Sequence, residues 1–122
     1  VALAATAALK ANNLSDLANK GTAVQNLTQV SDNPATYYTL LSGDTGKIIR
    51  MTAATAIALA IPAGLPDGFN CIIIQQGAGQ ITLSGAGIQS AGNLLKTFAQ
   101  YAPVSVVKVA ADTYNISGNL TV

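Results

Sequence analysis

The chain has 122 residues, half of them apolar, with six basic and five acidic side chains. That length suits one domain with a modest core. The net charge of +1 offers no strongly charged surface to meet nucleic acid or an anionic membrane, so neither nucleic-acid binding nor membrane insertion is expected.

Charged residues make up 9% of the chain, against about 25% in an ordinary soluble domain. Glu, His and Trp are absent. A chain this neutral is poorly protected against self-association. An unusually hydrophobic monomer would fit the composition. A subunit whose missing polar surface is buried against copies of itself fits it better, because obligate interfaces resemble a core cut in half.

The first 35 residues carry Ala, Asn and Leu in helical spacing. "VALAATAALKA" reads as an Ala-rich helix. It resembles the tail of a secretory signal only faintly, without a basic leader. In "NNLSDLANKGTAVQNL", Ser15 suits a helix cap and Asp16 places negative charge at the helix's positive end. Gly21 suits the left-handed position that stops a helix, and Thr22 with Gln25 forms a capping box that restarts one. Each piece is one or two turns, and helices below about 12–15 residues are marginal alone in water. Something outside the stretch must hold them.

Beyond residue 35 the signals are strand-like. "ATYYTLLSGDTGKIIRMT" reads as two strands around a turn at Gly43–Asp44–Thr45–Gly46. "AIALAIP" alternates, with Ile57, Leu59 and Ile61 on one face and Ala56, Ala58 and Ala60 on the other. The large residues suit a core, and the Ala face suits close approach of another surface. "AGLPDGF" is a turn. "FNCIIIQQ" and "QITLS" flank "GAG" as a hairpin. "SGAGIQSAGNLLK" is irregular with a short strand at its centre, and "YAPVSVVKVAA" and "TYNISGNLTV" are strands joined at Ala111–Asp112. No internal repeat and no low-complexity linker stand out. Seven or eight short strands at roughly 8–12-residue spacing predict an all-β fold, an antiparallel β-sandwich of jelly-roll-like form, preceded by short N-terminal helices. No helix long enough for a parallel crossover separates the strands. The organisation is therefore an N-terminal helical attachment and oligomerisation segment over 1–35 and a β-sandwich domain over 36–122. No stretch predicts a membrane-spanning helix, since "MTAATAIALAIPAGL" is too short and contains Thr and Pro.

Catalytic chemistry has little to work with. Without His, the commonest general base and metal ligand is missing. The five acids are Asp16, Asp32, Asp44, Asp67 and Asp112. Asp16 follows a cap, and the other four sit in turn contexts. A glycosidase would need two of them to face one another. In "SGDTGKI", Ile48 follows Lys47 where a phosphate loop needs Ser or Thr, and the stretch lies between strands rather than before a helix. "QSAG" around Ser90 lacks the first Gly of a nucleophile elbow. No spaced calcium-binding loop is present. Asn13, Asn26, Asn115 and Asn119 begin Asn-x-Ser/Thr triplets, which matter only in a eukaryotic secretory setting. The single cysteine, Cys71, lies in an apolar run and reads as a buried structural thiol. Tyr37, Tyr38, Phe69, Phe98, Tyr101 and Tyr114 read either as core and strand residues or, where exposed, as platforms for sugar rings. No enzyme activity and no cofactor or metal is expected.

"NNLSDLANKGTAVQNL" resembles a segment common in tailed-bacteriophage fibre proteins. "YYTLLSGDTGKIIRMTAATAIALAIPAGLPDGFNCIIIQQGAGQITLSGAGI" and "LLKTFAQYAPVSVVKVAADTYNISGNLTV" resemble small β-domains of phage virion proteins. The first match is fairly specific and the others looser, and together they cover nearly the whole chain. The resemblance implies a virion location and a structural, non-enzymatic role as a homotrimeric fibre or appendage subunit. It supplies no catalytic residues, and neither shaft repeat nor large tip domain is present. Partners would be sister subunits and other virion proteins. A capsid decoration protein is the alternative within this class, and a carbohydrate-binding module for a host surface glycan is the alternative outside it. Leu3, Leu9, Leu14, Leu17, Val24 and Leu27 are the expected oligomerisation or attachment surface.

Overall fold

The computed structural model describes residues 28–122, together with Ala18, Asn19, Gly21, Thr22 and Gln25. Eleven strands lie in the described residues. They are β1 (Val30–Asn33), β2 (Tyr37–Thr39), β3 (Ile48–Met51), β4 (Ile57–Ala60), β5 (Asn70–Gln75), β6 (Ile81–Ser84), β7 (Ile88–Ser90), β8 (Lys96–Thr97), β9 (Pro103–Ala110), β10 (Thr113–Gly118) and β11 (Leu120–Thr121). The only helical elements between them are single 3-10 turns at Ser42–Asp44 and Ala91–Asn93. No helix of the described residues is long and apolar enough to cross a membrane.

The strands form two sheets. One runs β1, β3, β5, β9, β10, β7 and the other β11, β8, β6, β4, β2. From β1 to β8 the chain changes sheet at every step. β1, β3 and β5 are therefore stacked in parallel in one sheet, and β2, β4 and β6 in parallel in the other. This is a β-solenoid-like coil. The expected all-antiparallel jelly roll is corrected to an all-β fold with mixed sheets. A parallel pair does need a crossover, but here the crossover is a strand of the opposite sheet rather than a helix. The expected hairpin across "GAG" is corrected for the same reason: β5 and β6 lie in different sheets. So do β2 and β3. One predicted hairpin is present, between β9 and β10.

Ile48 lies beside Ile72, and Ile57 beside Ile81, an offset of 24 residues in both sheets. The coils therefore carry a structural repeat. Between them the turns touch closely. Gly77 and Gly79 donate their N–H groups to the carbonyls of Met51 and Ala53, both at 3.0 Å. A Cβ on Gly79 would run into the Thr55 carbonyl, and one on Gly77 into those of Thr52 and Ala53. Only glycine lets one turn stack on the other.

The direction then reverses. β9 runs antiparallel to β5, and β8 antiparallel to β6. This half closes the coil with hairpin geometry, while β7 pairs in parallel with β10.

Strand alternation places the core between the sheets. Ile49, Met51, Ile73, Val104, Val106, Tyr114 and Ile116 come from one sheet; Ile57, Leu59, Ile81 and Leu83 come from the other; all are buried. Leu40, Ile61, Leu65 and Phe69 close the core from the connections. Ile57, Leu59 and Ile61 point inward as the alternation predicts, and Ala58 is exposed on the opposite face.

Two local expectations need correction near the N-terminus. Gly21 and Thr22 are both helical, and the Thr22 N–H donates to Asn19 Oδ1 at 2.9 Å. The cap there is Asn19, not Thr22, and Gly21 lies within the turn rather than stopping it. Val30–Asn33, inside the segment assigned to helices, is strand β1.

Candidate interaction surface

Leu3, Leu9, Leu14, Leu17, Val24 and Leu27 lie outside the described residues. The surface available for interaction is therefore read from the two sheets and the loops at their ends.

The outer face of the six-stranded sheet is apolar near its centre. Val30 lies beside Ile48, and Ile48 beside Ile72. Ile74 follows on the same face of β5, and Val107 projects from the same side of β9. Val30 is 58% exposed, Ile72 40% and Val107 38%. Asp32 and Arg50 stand on neighbouring strands of this face with 3.4 Å between Oδ1 and Nε. Both are substantially exposed, so the pair adds little to stability.

The outer face of the five-stranded sheet differs. Tyr37, Ala58, Thr82, Lys96 and Thr121 form one continuous row across it. Thr39, Ala60 and Ser84 form the next. This is the expected Ala face, with Ala58 and Ala60 at its centre and the exposed Tyr37 and Lys96 as its long side chains. Burying a Val or Ile from water is worth about 1.5–3 kcal/mol, and a single methyl about 0.8. Exposed aliphatic area is therefore larger on the six-stranded sheet, which shows Val30, Ile72 and Val107.

The aromatic residues divide cleanly. Phe69 and Tyr114 belong to the core, and Tyr38 is half-buried. Tyr37, Phe98 and Tyr101 are exposed. Tyr101 has φ of 72°, an uncommon backbone for a bulky residue. Its N–H donates to the Gln75 carbonyl at 2.6 Å, and the Gln75 N–H donates to the Ala102 carbonyl at 3.2 Å, which pins the loop onto β5. Beneath it the buried Gln75 side chain meets Thr97 Oγ1. In the amide orientation that satisfies both ends, it also donates to the Ala99 carbonyl at 3.2 Å and accepts from Gln100 N–H at 3.3 Å. The loop carrying Phe98 and Tyr101 is thus held from below by one buried glutamine.

Each described carboxylate has its own partner. Asp44, buried, accepts from Tyr38 Oη at 2.6 Å and from the Leu41 N–H at 2.8 Å, with Lys47 Nζ 3.6 Å away. It braces the first 3-10 turn. Asp112, at φ 46° in the β9–β10 turn, accepts from the Gly64 N–H at 2.8 Å. Asp67 meets Lys108 at 3.2 Å, and that ammonium also donates to the Leu65 carbonyl at 2.6 Å. Asp32 lies on β1 facing Arg50 rather than in a turn, a correction to its sequence context. A shallow depression lined by Asp67, Gly68, Lys108 and Val109 has its one cation already engaged.

Cys71 is buried, and burial, reinforced by the nearby Asp44 charge, pushes its thiol up to about 12. It is the structural thiol its apolar run suggests. Burial and the hydrogen bond to Asp44 likewise raise Tyr38 above the ordinary phenol range.

No protein-family model matches this chain, and no curated protein matches it.

Proposed function

We propose that this chain is a non-enzymatic structural subunit of a tailed-bacteriophage virion, working as a homotrimeric fibre or appendage attached through its N-terminal segment. The observation that carries self-assembly is the exposed apolar face of the six-stranded sheet, with Val30, Ile48 and Ile72 in one row on a chain that is only 9% charged. Apolar strand faces of this kind mark interaction sites. The virion assignment rests on the resemblance of "NNLSDLANKGTAVQNL" to phage fibre segments. A β-solenoid-like body suits the role, because stacked coils build an elongated, rigid unit from short repeats. The N-terminal Leu and Val residues would pack with their counterparts or against a larger virion body.

The test is immunogold labelling of purified particles from the lysate that carries the gene. Label on the tail supports a fibre, and label over the head supports the alternative of capsid decoration. Particles free of the protein contradict both.

A second reading has its own observation. Tyr37 and Tyr101 are each about two-thirds exposed, at 66% and 65%, and Phe98 is similarly open. Aromatic rings displayed this way can stack on sugar rings. A host surface glycan is then the partner. Saturable binding on a glycan array, lost in Tyr37→Ala and Tyr101→Ala, supports this reading, and an array without signal contradicts it.

A further inference from the structure

The turn between β4 and β5 carries a reactive pair. Asp67 is the only Asp followed by Gly in the chain, and no Asn is followed by Gly. The Phe69 N–H donates to the Pro66 carbonyl at 3.0 Å and closes the turn, with Gly68 at φ 77°. The peptide between Asp67 and Gly68 is the central one. Neither its carbonyl nor its N–H is hydrogen-bonded among the described residues, so it rotates without breaking the closing bond. The Asp67 side chain is fully exposed. A Cβ on Gly68 would meet nothing within 4 Å, so the surroundings of the glycine are open. Lys108 Nζ lies 3.2 Å from Asp67 Oδ1, but a carboxylate this exposed is held weakly and its Cγ stays accessible. Asp32, Asp44 and Asp112 precede Asn33, Thr45 and Thr113, whose side chains crowd the nitrogen that follows each of them.

We propose that Asp67–Gly68 is a site of spontaneous isoaspartate formation, an intramolecular modification that needs only water. The Gly68 nitrogen bonds to Asp67 Cγ, and the side-chain hydroxyl leaves with the amide proton as water. A five-membered imide results. Water then adds to the former backbone carbonyl carbon and breaks its bond to nitrogen. The chain now runs through Cγ, and the old carbonyl has become a free carboxylate. One water is lost and one regained, so mass and oxidation state are unchanged. The backbone gains a methylene inside the turn that sets the buried Leu65 and Phe69 into the core, and the carboxylate facing Lys108 moves. The proposal stands whatever the chain assembles with.

The test incubates the folded full chain in mildly acidic buffer, where the neutral carboxyl that the imide step consumes is more abundant than in alkaline buffer. Protein isoaspartyl methyltransferase with a labelled methyl donor counts isoaspartate over time, and peptide mapping places it. The expected result is label that grows at unchanged chain mass. It should be several-fold higher in the peptide holding Asp67 than in those holding Asp32 and Asp112. Asp67→Glu keeps the charge at a fully exposed position but would need a six-membered ring, and it should bring that peptide to background. The isomerised fraction should unfold at lower urea than the unmodified chain. Label spread evenly over the Asp peptides overturns the proposal. So does a folded chain that gains no label at Asp67 while the chain held unfolded in urea gains it, because the native turn then protects the pair.

Discussion

Asp44 and Gln75 are polar residues buried among apolar ones, and each is fixed by several hydrogen bonds. Removing one partner of such a set leaves the others desolvated and unpaired, at about 1–3 kcal/mol for a neutral group. Gln75→Leu should therefore destabilise the chain by about that amount in urea unfolding. It should also loosen the Phe98–Ala102 loop, read as faster amide exchange at Tyr101. Tyr114 is the reverse case. Its Oη is buried with no partner among the described residues, so the hydroxyl contributes no hydrogen bond. Tyr114→Phe should leave stability unchanged or raise it slightly, and a loss above about 1 kcal/mol would reveal a partner for that oxygen. Cys71 and Tyr38 set an alkaline limit. In both groups the folded state holds the proton more tightly than the unfolded chain does. Their stabilising contribution is complete below the unfolded pKa values, near 8.5 for a thiol and 10 for a phenol, and is lost as pH rises toward the folded values. Stability should thus decline above about pH 9, by up to about 1.4 kcal/mol per pH unit from the thiol. Cys71→Ala should flatten the first part of that decline in denaturation midpoints measured between pH 8 and 11.

At the scale of elements, the coil depends on turns that stack closely enough to exclude a side chain. Gly79 faces the Thr55 carbonyl at such a contact. Gly79→Ala must push the two turns apart, at a cost of about 3 kcal/mol or more, and thermal unfolding should show a drop of several degrees. Gly43→Ala, where the added Cβ meets open space, is the matched control and should unfold near the native temperature. Strand faces were legible from alternation, as with Ile57, Leu59 and Ile61 turned inward. Topology was not, because alternation says which side chains share a face but not which sheet a strand joins. "CIIIQQGAGQITLS" has the local look of a hairpin, yet Gly77 and Gly79 serve a stacked turn between sheets instead. The usable signal was the 24-residue offset that pairs Ile48-Ile49 with Ile72-Ile73 and Ile57-x-Leu59 with Ile81-x-Leu83. It covers only two coils, and β1 joins β3 at a shorter offset of 18, so it does not stand out as a repeat. β8, two residues long, carries no periodicity to read.

For the whole molecule, the central matter is where the low charge leads. Composition alone pointed to self-association but could not place it. The row of Val30, Ile48 and Ile72 exists only once register is known, because these residues are 18 and 24 positions apart. The N-terminal leucines, outside the described residues, are the second contact we propose. Leu14→Asp with Leu17→Asp should abolish assembly or attachment, checked by native mass and by co-sedimentation with particles, while the β-sheet circular-dichroism signal persists. The most direct measurement is the solution mass of the purified full chain by light scattering across a dilution series. A mass of three chains that holds on dilution is the predicted result, with the apolar sheet face and the N-terminal segment covered by sister subunits. A single-chain mass at every concentration would contradict it and leave that face bare to water.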